Sequence, residues 1–206
     1  MKKTLTFGLI AVAGGSSLHV QAQEAQDTMV VVGARTPTEI SQIPGAVWVV
    51  DEAQIQQQLR SGQSLKSALG RLIPGFDFGS STNRTNYAQN FRGRDALVMI
   101  NGVSLNNSRS LSRQFDSIDP FNIARIEVLS GASSLYGGGA TGGIINIITK
   151  KGEQGGPHFE SELGVTSGLN ASDDLTKRAA QSISGGNDRI QGRLAIAVQE
   201  LSLIHI

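Results

Sequence analysis

Apolar positions change their spacing several times along this chain, and each change marks an element. Leu5 to Val12 is a nearly unbroken apolar run, interrupted only by Thr6 and Gly8 and preceded by Met1-Lys2-Lys3. A positive start, an apolar core and the small residue closing Val20-Gln21-Ala22 read as a signal peptide over residues 1–22, with the mature chain starting at Gln23. The run is too short to cross a bilayer, which takes about 20 residues. Asp27-Thr28-Met29-Val30-Val31-Val32 then forms a short β-prone run with a polar flank. Such a run is either an ordinary edge strand or a segment that adds to a partner's sheet.

Beyond a turn-rich linker at 37–45, the pattern alternates between strand and helix. Ala46 to Val50 reads as a strand, and Asp51 with Gln54 three residues on forms a capping box for a helix whose apolar stripe holds Ile55 and Leu59. Ser64 caps a second helix, where Leu65, Ala68, Leu69 and Leu72 stand at i, i+3, i+4 and i+7. Ile73-Pro74-Gly75 stops it, because proline cannot continue a helix and glycine turns out of one. Phe76 to Phe78 restarts a strand before a polar run, Gly79 to Gln89. Leu97 to Leu105 reads as a hairpin about Asn101-Gly102, a dipeptide suited to the positive φ of a tight turn. A second polar loop, Asn106 to Gln114, follows, and Asp119-Pro120 caps a short helix.

Arg125 to Lys151 is the most distinctive stretch. Ile126, Val128 and Leu129 suit a strand, Ile144, Ile145, Ile147 and Ile148 suit another, and five glycines (137, 138, 139, 142 and 143) lie between them. Glycines this dense suit repeated positive φ or close backbone approach. A phosphate-binding loop would end in Gly-Lys-Ser/Thr, whereas this turn ends Gly143-Ile144-Ile145. A dinucleotide-binding turn would open a helix, and isoleucines of a strand follow instead.

After Gly152 the period becomes two. Phe159, Ser161, Leu163 and Val165 alternate with Glu160, Glu162, Gly164 and Thr166, and Ile190 to Val198 alternates with Gln191 to Gln199. A weaker segment, Arg178 to Gly185, lies between. Apolar-out, polar-in strands are the pattern of a membrane barrel, and of any half-buried antiparallel sheet.

Composition narrows the chemistry. The 206 residues carry a formal net charge of +1, which gives no electrostatic argument for nucleic acid. Cysteine is absent and the three histidines, His19, His158 and His205, are scattered, so no thiolate, disulfide or metal cluster is expected. The sequence has no nucleophile–base pair and no carboxylate dyad in context, so an enzyme is not expected. No cofactor is expected either.

The order Arg125-Ile-Glu-Val-x-x-Gly-x-x-Ser-x-Tyr-Gly137, then Gly143-x-Ile-Asn-Ile-Ile-Thr-Lys150, resembles the end of the plug domain in TonB-dependent outer-membrane receptors. Phe91-Arg92-Gly93 resembles their Ile-Arg-Gly signature, and Leu97 to Val103 resembles their Leu-Ile-Asp-Gly-Val segment, with Asn101 for the usual aspartate. The resemblance implies an α+β plug (a mixed small sheet with short helices) over 37–152, followed by the first strands of a transmembrane antiparallel β-barrel over 153–200. It implies that Asp27, Thr28, Met29, Val30, Val31 and Val32 form the TonB box, within an N-terminal segment and linker at 23–36. TonB, with its inner-membrane energising complex, would grip that box. With only Gln23 to Gln26 ahead of the box, uptake without direct transcriptional signalling is expected.

The same resemblance implies that Arg92 and Arg125 pair with barrel glutamates, and that the polar loops face the ligand. Arg84, Asn86, Tyr87, Arg109 and Arg113 are the candidate ligand contacts, suited to an anionic, oxygen-rich chelate. Further stretches, Arg84-Thr-Asn-Tyr87, Arg92-Gly-Arg94, Asn107-Ser-Arg-Ser110 and Asp119-Pro-Phe-Asn122 among them, resemble receptors for citrate-hydroxamate siderophores of the aerobactin type. Iron would arrive already chelated, in a monomeric receptor facing outer-membrane lipid in a Gram-negative cell.

Plugged transporters have about 22 strands, and this chain supplies about three. It therefore reads as a fragment. Leu201 to Ile206 abandon the alternation and equal what a sequencing-library transposon end encodes in one frame, so 201–206 read as a non-native tail. The alternative reading is a stand-alone periplasmic plug-like module that binds or interacts.

Overall fold

A computed structural model describes residues 29–61, 63–77, 90–106, 118–167 and 175–200. In chain order the strands and helices are β1 (Met29–Val30), β2 (Thr38–Glu39), β3 (Val47–Asp51), α1 (Glu52–Arg60), α2 (Leu65–Leu72), β4 (Phe76–Asp77), β5 (Asn90–Phe91), β6 (Ala96–Ile100), β7 (Val103–Ser104), β8 (Ile123–Ser130), β9 (Gly143–Thr149), β10 (Gly155–Ser167), β11 (Leu175–Gly186) and β12 (Gln191–Glu200). Short 3-10 turns at Ile40–Gln42 and Pro120–Asn122 precede β3 and β8.

The local signals act where the sequence puts them. Asp51 accepts from the Gln54 amide while the Gln54 side chain accepts from the Asp51 amide, which closes the capping box on α1. Ser64 accepts from the Ser67 amide at the start of α2. Asn101 and Gly102 have φ of 49° and 84°, the two positive values a tight two-residue hairpin turn needs.

A five-stranded sheet, ordered β3-β8-β9-β6-β7, forms the centre. β6 and β9 run parallel and the other pairs antiparallel. A parallel pair needs a long crossover, and the chain between Ile100 and Gly143 supplies it. β8 and β9, which flank the glycine-rich turn, are neighbours with Ile126 opposite Ile147 and Val128 opposite Ile145.

Alternation along these strands divides the core in two. On one face Val50, Val98, Ile126, Val128, Ile145 and Ile147 pack with Ile55 of α1, Leu65 and Leu69 of α2, Phe76 and Phe91. On the other, Leu97, Met99, Leu129 and Ile144 are covered by Val30, Val32 and Ile43 of the N-terminal segment. The layers are therefore helices, sheet and an irregular N-terminal cover. Gly142 and Gly143 sit where backbones close on one another. A Cβ at Gly143 would come within 2.7 Å of the Leu129 carbonyl oxygen.

β10, β11 and β12 form a separate antiparallel sheet. β11 runs from Leu175 to Gly186, longer than its apolar alternation indicates. Its Ala179, Ala180, Ser182 and Ser184 are too small or polar to mark a strand by themselves. Ladders to β10 and β12 on both sides hold it extended. At 10 to 13 residues each, these strands reach the roughly 9–11 that a tilted membrane crossing takes. Phe159, Ile183 and Leu194 stand abreast on the outer face, as do Leu163 and Val198 on either side of Ala179. Leu163 is 86% exposed, in keeping with an apolar surface turned outward.

Candidate functional site

The N-terminal segment is docked from Met29 onward, where Met29–Val30 pairs as a short strand with Thr38–Glu39. Val30 and Val32 are fully buried, while Met29 remains 45% exposed. The strand ends at Val30 and the chain turns at Val31, where the Ala34 and Arg35 amides close on the Val31 carbonyl, so that Val30 and Val32 both pack against the second face of the sheet. The backbone of this segment is held by a charge. Glu127 in β8 is completely buried, and its Oε2 accepts from the Val31 and Val32 amides at 2.8 and 3.0 Å. Its Oε1 accepts from Arg125 Nε and Nη2 at 3.0 and 2.8 Å. Every strong acceptor direction of this carboxylate is thus used, which is what allows it to sit inside an apolar layer.

Tyr136, in the glycine-rich turn, adds a second tie. Its hydroxyl donates to the Val31 carbonyl at 2.8 Å, and the Ala34 and Arg35 amides donate to the same oxygen. The Arg35 guanidinium lies over the Tyr136 ring, 5.3 Å from its centroid. Burial raises the phenol above its ordinary pKa, with the Glu127 charge adding to that and Arg35 opposing it, so the hydroxyl stays a donor near neutrality. A cleft lined by Val31, Arg35, Met99, Asn101, Gly102, Ser104 and Tyr136 opens beside this arrangement. Asn146 sits opposite Glu127 across the ladder, and its Oδ1 accepts from the Gly102 amide.

A second cluster joins the globular part to the inner face of the β10–β12 sheet. Lys150 Nζ lies 2.6 Å from both Glu52 of α1 and Glu160 of β10. Arg193 of β12 donates to the other oxygen of Glu160 at 2.8 Å. Lys150 and Arg193 both lie over the Phe121 ring, at 5.2 and 5.4 Å. Arg178 of β11 bridges Glu162 of β10 and Asp119, whose carboxylate also caps the turn at Phe121. Lys150→Ala removes the cation that ties Glu52 to Glu160. Because both acids are more than a third exposed, the expected loss is only about 1 kcal/mol. Trp48 is the single tryptophan and lies 6.5 Å from the Phe91 ring. Its fluorescence should report a lower denaturant midpoint with unchanged slope.

Asp27, Thr28, Arg84, Asn86, Tyr87, Arg109 and Arg113 lie outside the described residues. Arg92 has a φ of 54° and places its guanidinium 5.7 Å from the Phe91 ring, with its amide donating to Gly75. Arg125 pairs with Glu127, as above. Among the described residues, ion pairs between the globular part and the strand sheet join Lys150 to Glu160 and Asp119 to Arg178. Sequence reasoning passed over Glu127, although a carboxylate between Ile126 and Val128 in an apolar strand is itself a sign of a buried charge with dedicated partners.

The family model described as the TonB-dependent Receptor Plug Domain matches residues 39–144. The chain belongs to this family. It is 51% identical over 181 residues to the ferric aerobactin receptor of Klebsiella pneumoniae, an alignment covering 88% of this chain and 24% of that receptor. It is 48% identical over 193 residues to the rhizobactin receptor of Rhizobium meliloti (strain 1021), covering 93% and 26% respectively. The chain thus spans about a quarter of the length of these curated relatives. Among solved structures, the alcaligin outer-membrane receptor FauA from Bordetella pertussis superposes with a TM-score of 0.63 at 19% identity, covering 84% of this chain and 29% of that one. At that identity the likeness concerns the fold. The siderophore receptor PirA from Pseudomonas aeruginosa gives 0.56 at 25% identity, covering 78% and 28%.

Proposed function

We propose that this chain is the N-terminal part of a TonB-dependent outer-membrane receptor that imports a ferric siderophore, a citrate-hydroxamate of the aerobactin type. The observation that carries the reading is identity near one half, over most of this chain, to receptors named for ferric aerobactin and rhizobactin. Residues 1–22 direct export, and the apolar outer face of β10–β12 meets outer-membrane lipid. The polar inner face, with Glu160, Glu162, Arg178 and Arg193, meets the plug. Residues 27–32 are the segment that TonB takes up by strand addition, with energy from its inner-membrane complex. The receptor acts as a monomer, without a cofactor and without covalent chemistry.

Ligand enters from the side of the polar loops. Arg84, Arg109 and Arg113 supply positive charge for an anionic chelate, and Asn86 and Tyr87 supply hydrogen bonds. The test is uptake of radiolabelled ferric aerobactin by a strain that lacks its own receptor and carries the whole gene. Uptake that depends on TonB is the expected result, and failure to bind or import this siderophore would remove the cargo assignment. Replacing both Arg109 and Arg113 with alanine is expected to weaken binding by about tenfold or more, since a charge-assisted hydrogen bond contributes roughly 1.5–3 kcal/mol. Unchanged affinity would take these two residues out of the site.

A further inference from the structure

We propose that Glu127 and Tyr136 act as a latch that holds residues 30–32 against the central sheet, and that a partner can take up the segment only when this latch opens. The proposal rests on the reading of residues 27–32 as the gripped segment, and adds the residues that control its availability. Two observations carry it. Val31 and Val32 present their amides to a single carboxylate oxygen of Glu127, and the Val31 carbonyl is met by the Tyr136 hydroxyl. Backbone atoms that a strand-adding partner would use are therefore already occupied within the chain. Docked and gripped states compete for the same hydrogen bonds.

The chemistry suits a hold that can be released. Glu127 is fully buried while the segment is in place, yet its partner Arg125 is 35% exposed and connects the carboxylate to solvent. A buried charge carries a desolvation cost that only good geometry offsets. Lifting Val31 and Val32 away exposes the carboxylate to water, which replaces the two lost amide donors and recovers part of that cost. An apolar side chain at 127 would leave both amides buried without acceptors, and would hold the segment less well. Glu127 is accordingly a positioning residue: it fixes where the segment rests and which bonds must break first.

These 206 residues hold no cysteine, so thiols introduced among them can be followed once any cysteine in the rest of the receptor is replaced by serine. In the complete receptor, purified in detergent, a thiol at the buried position 32 (Val32→Cys) is compared with one at the equally buried Ala68 of α2 (Ala68→Cys). The readout is the rate of maleimide labelling in parent, Glu127→Ala and Tyr136→Phe backgrounds. Glu127→Ala is expected to speed labelling at 32 by about tenfold or more, and Tyr136→Phe by about three- to tenfold, with position 68 staying closed. No acceleration at 32 in Glu127→Ala, with 68 closed, would overturn the latch. If Glu127→Ala opens position 68 as well, the domain has unfolded. Tyr136→Phe, which removes one hydroxyl, then decides by the same criterion. Adding the purified periplasmic domain of TonB separates the two claims. It should bind Glu127→Ala more tightly than parent. If it binds neither variant while labelling behaves as expected, the latch stands and the reading of residues 27–32 fails.

Discussion

A complete receptor carrying Met29→Pro is expected to bind its ferric siderophore as tightly as the parent and to import it at less than roughly a tenth of the parental rate. Proline has no amide hydrogen and interrupts the ladder of any strand it joins. Met29 is half-exposed at the start of β1, paired only with Glu39 of the short β2. The substitution therefore leaves the buried side chains of Val30 and Val32 and the amides held by Glu127 in place. What it removes is a donor in the strand that a partner would extend, and it also restricts Thr28 to extended conformations. Equilibrium binding and energised uptake, measured on the same cells, check the result. Normal uptake would show that strand addition at this segment is not how the receptor is driven.

Ile145→Ala is expected to lower the stability of the globular part by about 2–5 kcal/mol, the range for truncating a buried isoleucine to alanine. Ile145 is fully buried in β9, which is paired on both edges, and it belongs to the cluster that includes Ile55, Leu69, Phe76 and Phe91. Neighbours from strands and helices together fix the site, so collapse around the cavity is limited. Against a typical domain stability of about 5–15 kcal/mol, such a loss leaves a measurable unfolded fraction. Ile145→Val, which removes one methylene, should cost only about 0.5–1.5 kcal/mol. Trp48 fluorescence in a denaturant series distinguishes the two. Equal midpoints would mean that this part of the core repacks freely.

Features decided within a few residues were open to reading from the sequence. The capping box at Asp51 and Gln54, the Ser64 cap, the Asn101-Gly102 turn and the strands flanking the glycine-rich turn each depend on neighbours close in the chain. The strand order was not open in that way. The parallel pairing of Ala96–Ile100 with Gly143–Thr149 joins segments more than 40 residues apart, and no local pattern encodes it. The same limit applied to the candidate site. Among the described residues Arg125 pairs with Glu127, a tie that the motif around it does not announce. Lys150 and Asp119 make the ion pairs to the strand sheet, and nothing in their immediate sequence points to those partners. Glu127 was in view but its meaning was not, because its partners Val31 and Val32 lie 96 and 95 residues away.

The N-terminal cover over the second face of the sheet has a consequence for how the molecule yields to a pull. Leu97, Met99, Leu129 and Ile144 are roofed by Val30, Val32 and Ile43, with Ala140 and Tyr136 beside them. Traction on residues 30–32 cannot draw them out without also wetting apolar side chains on the strands beneath. Extraction and loosening of the interior are then a single event, and the hydrophobic penalty for that wetting draws the segment back once traction stops. Under the function proposed above, the segment that a partner takes up is also a wall of the core, so a pull there would weaken the molecule.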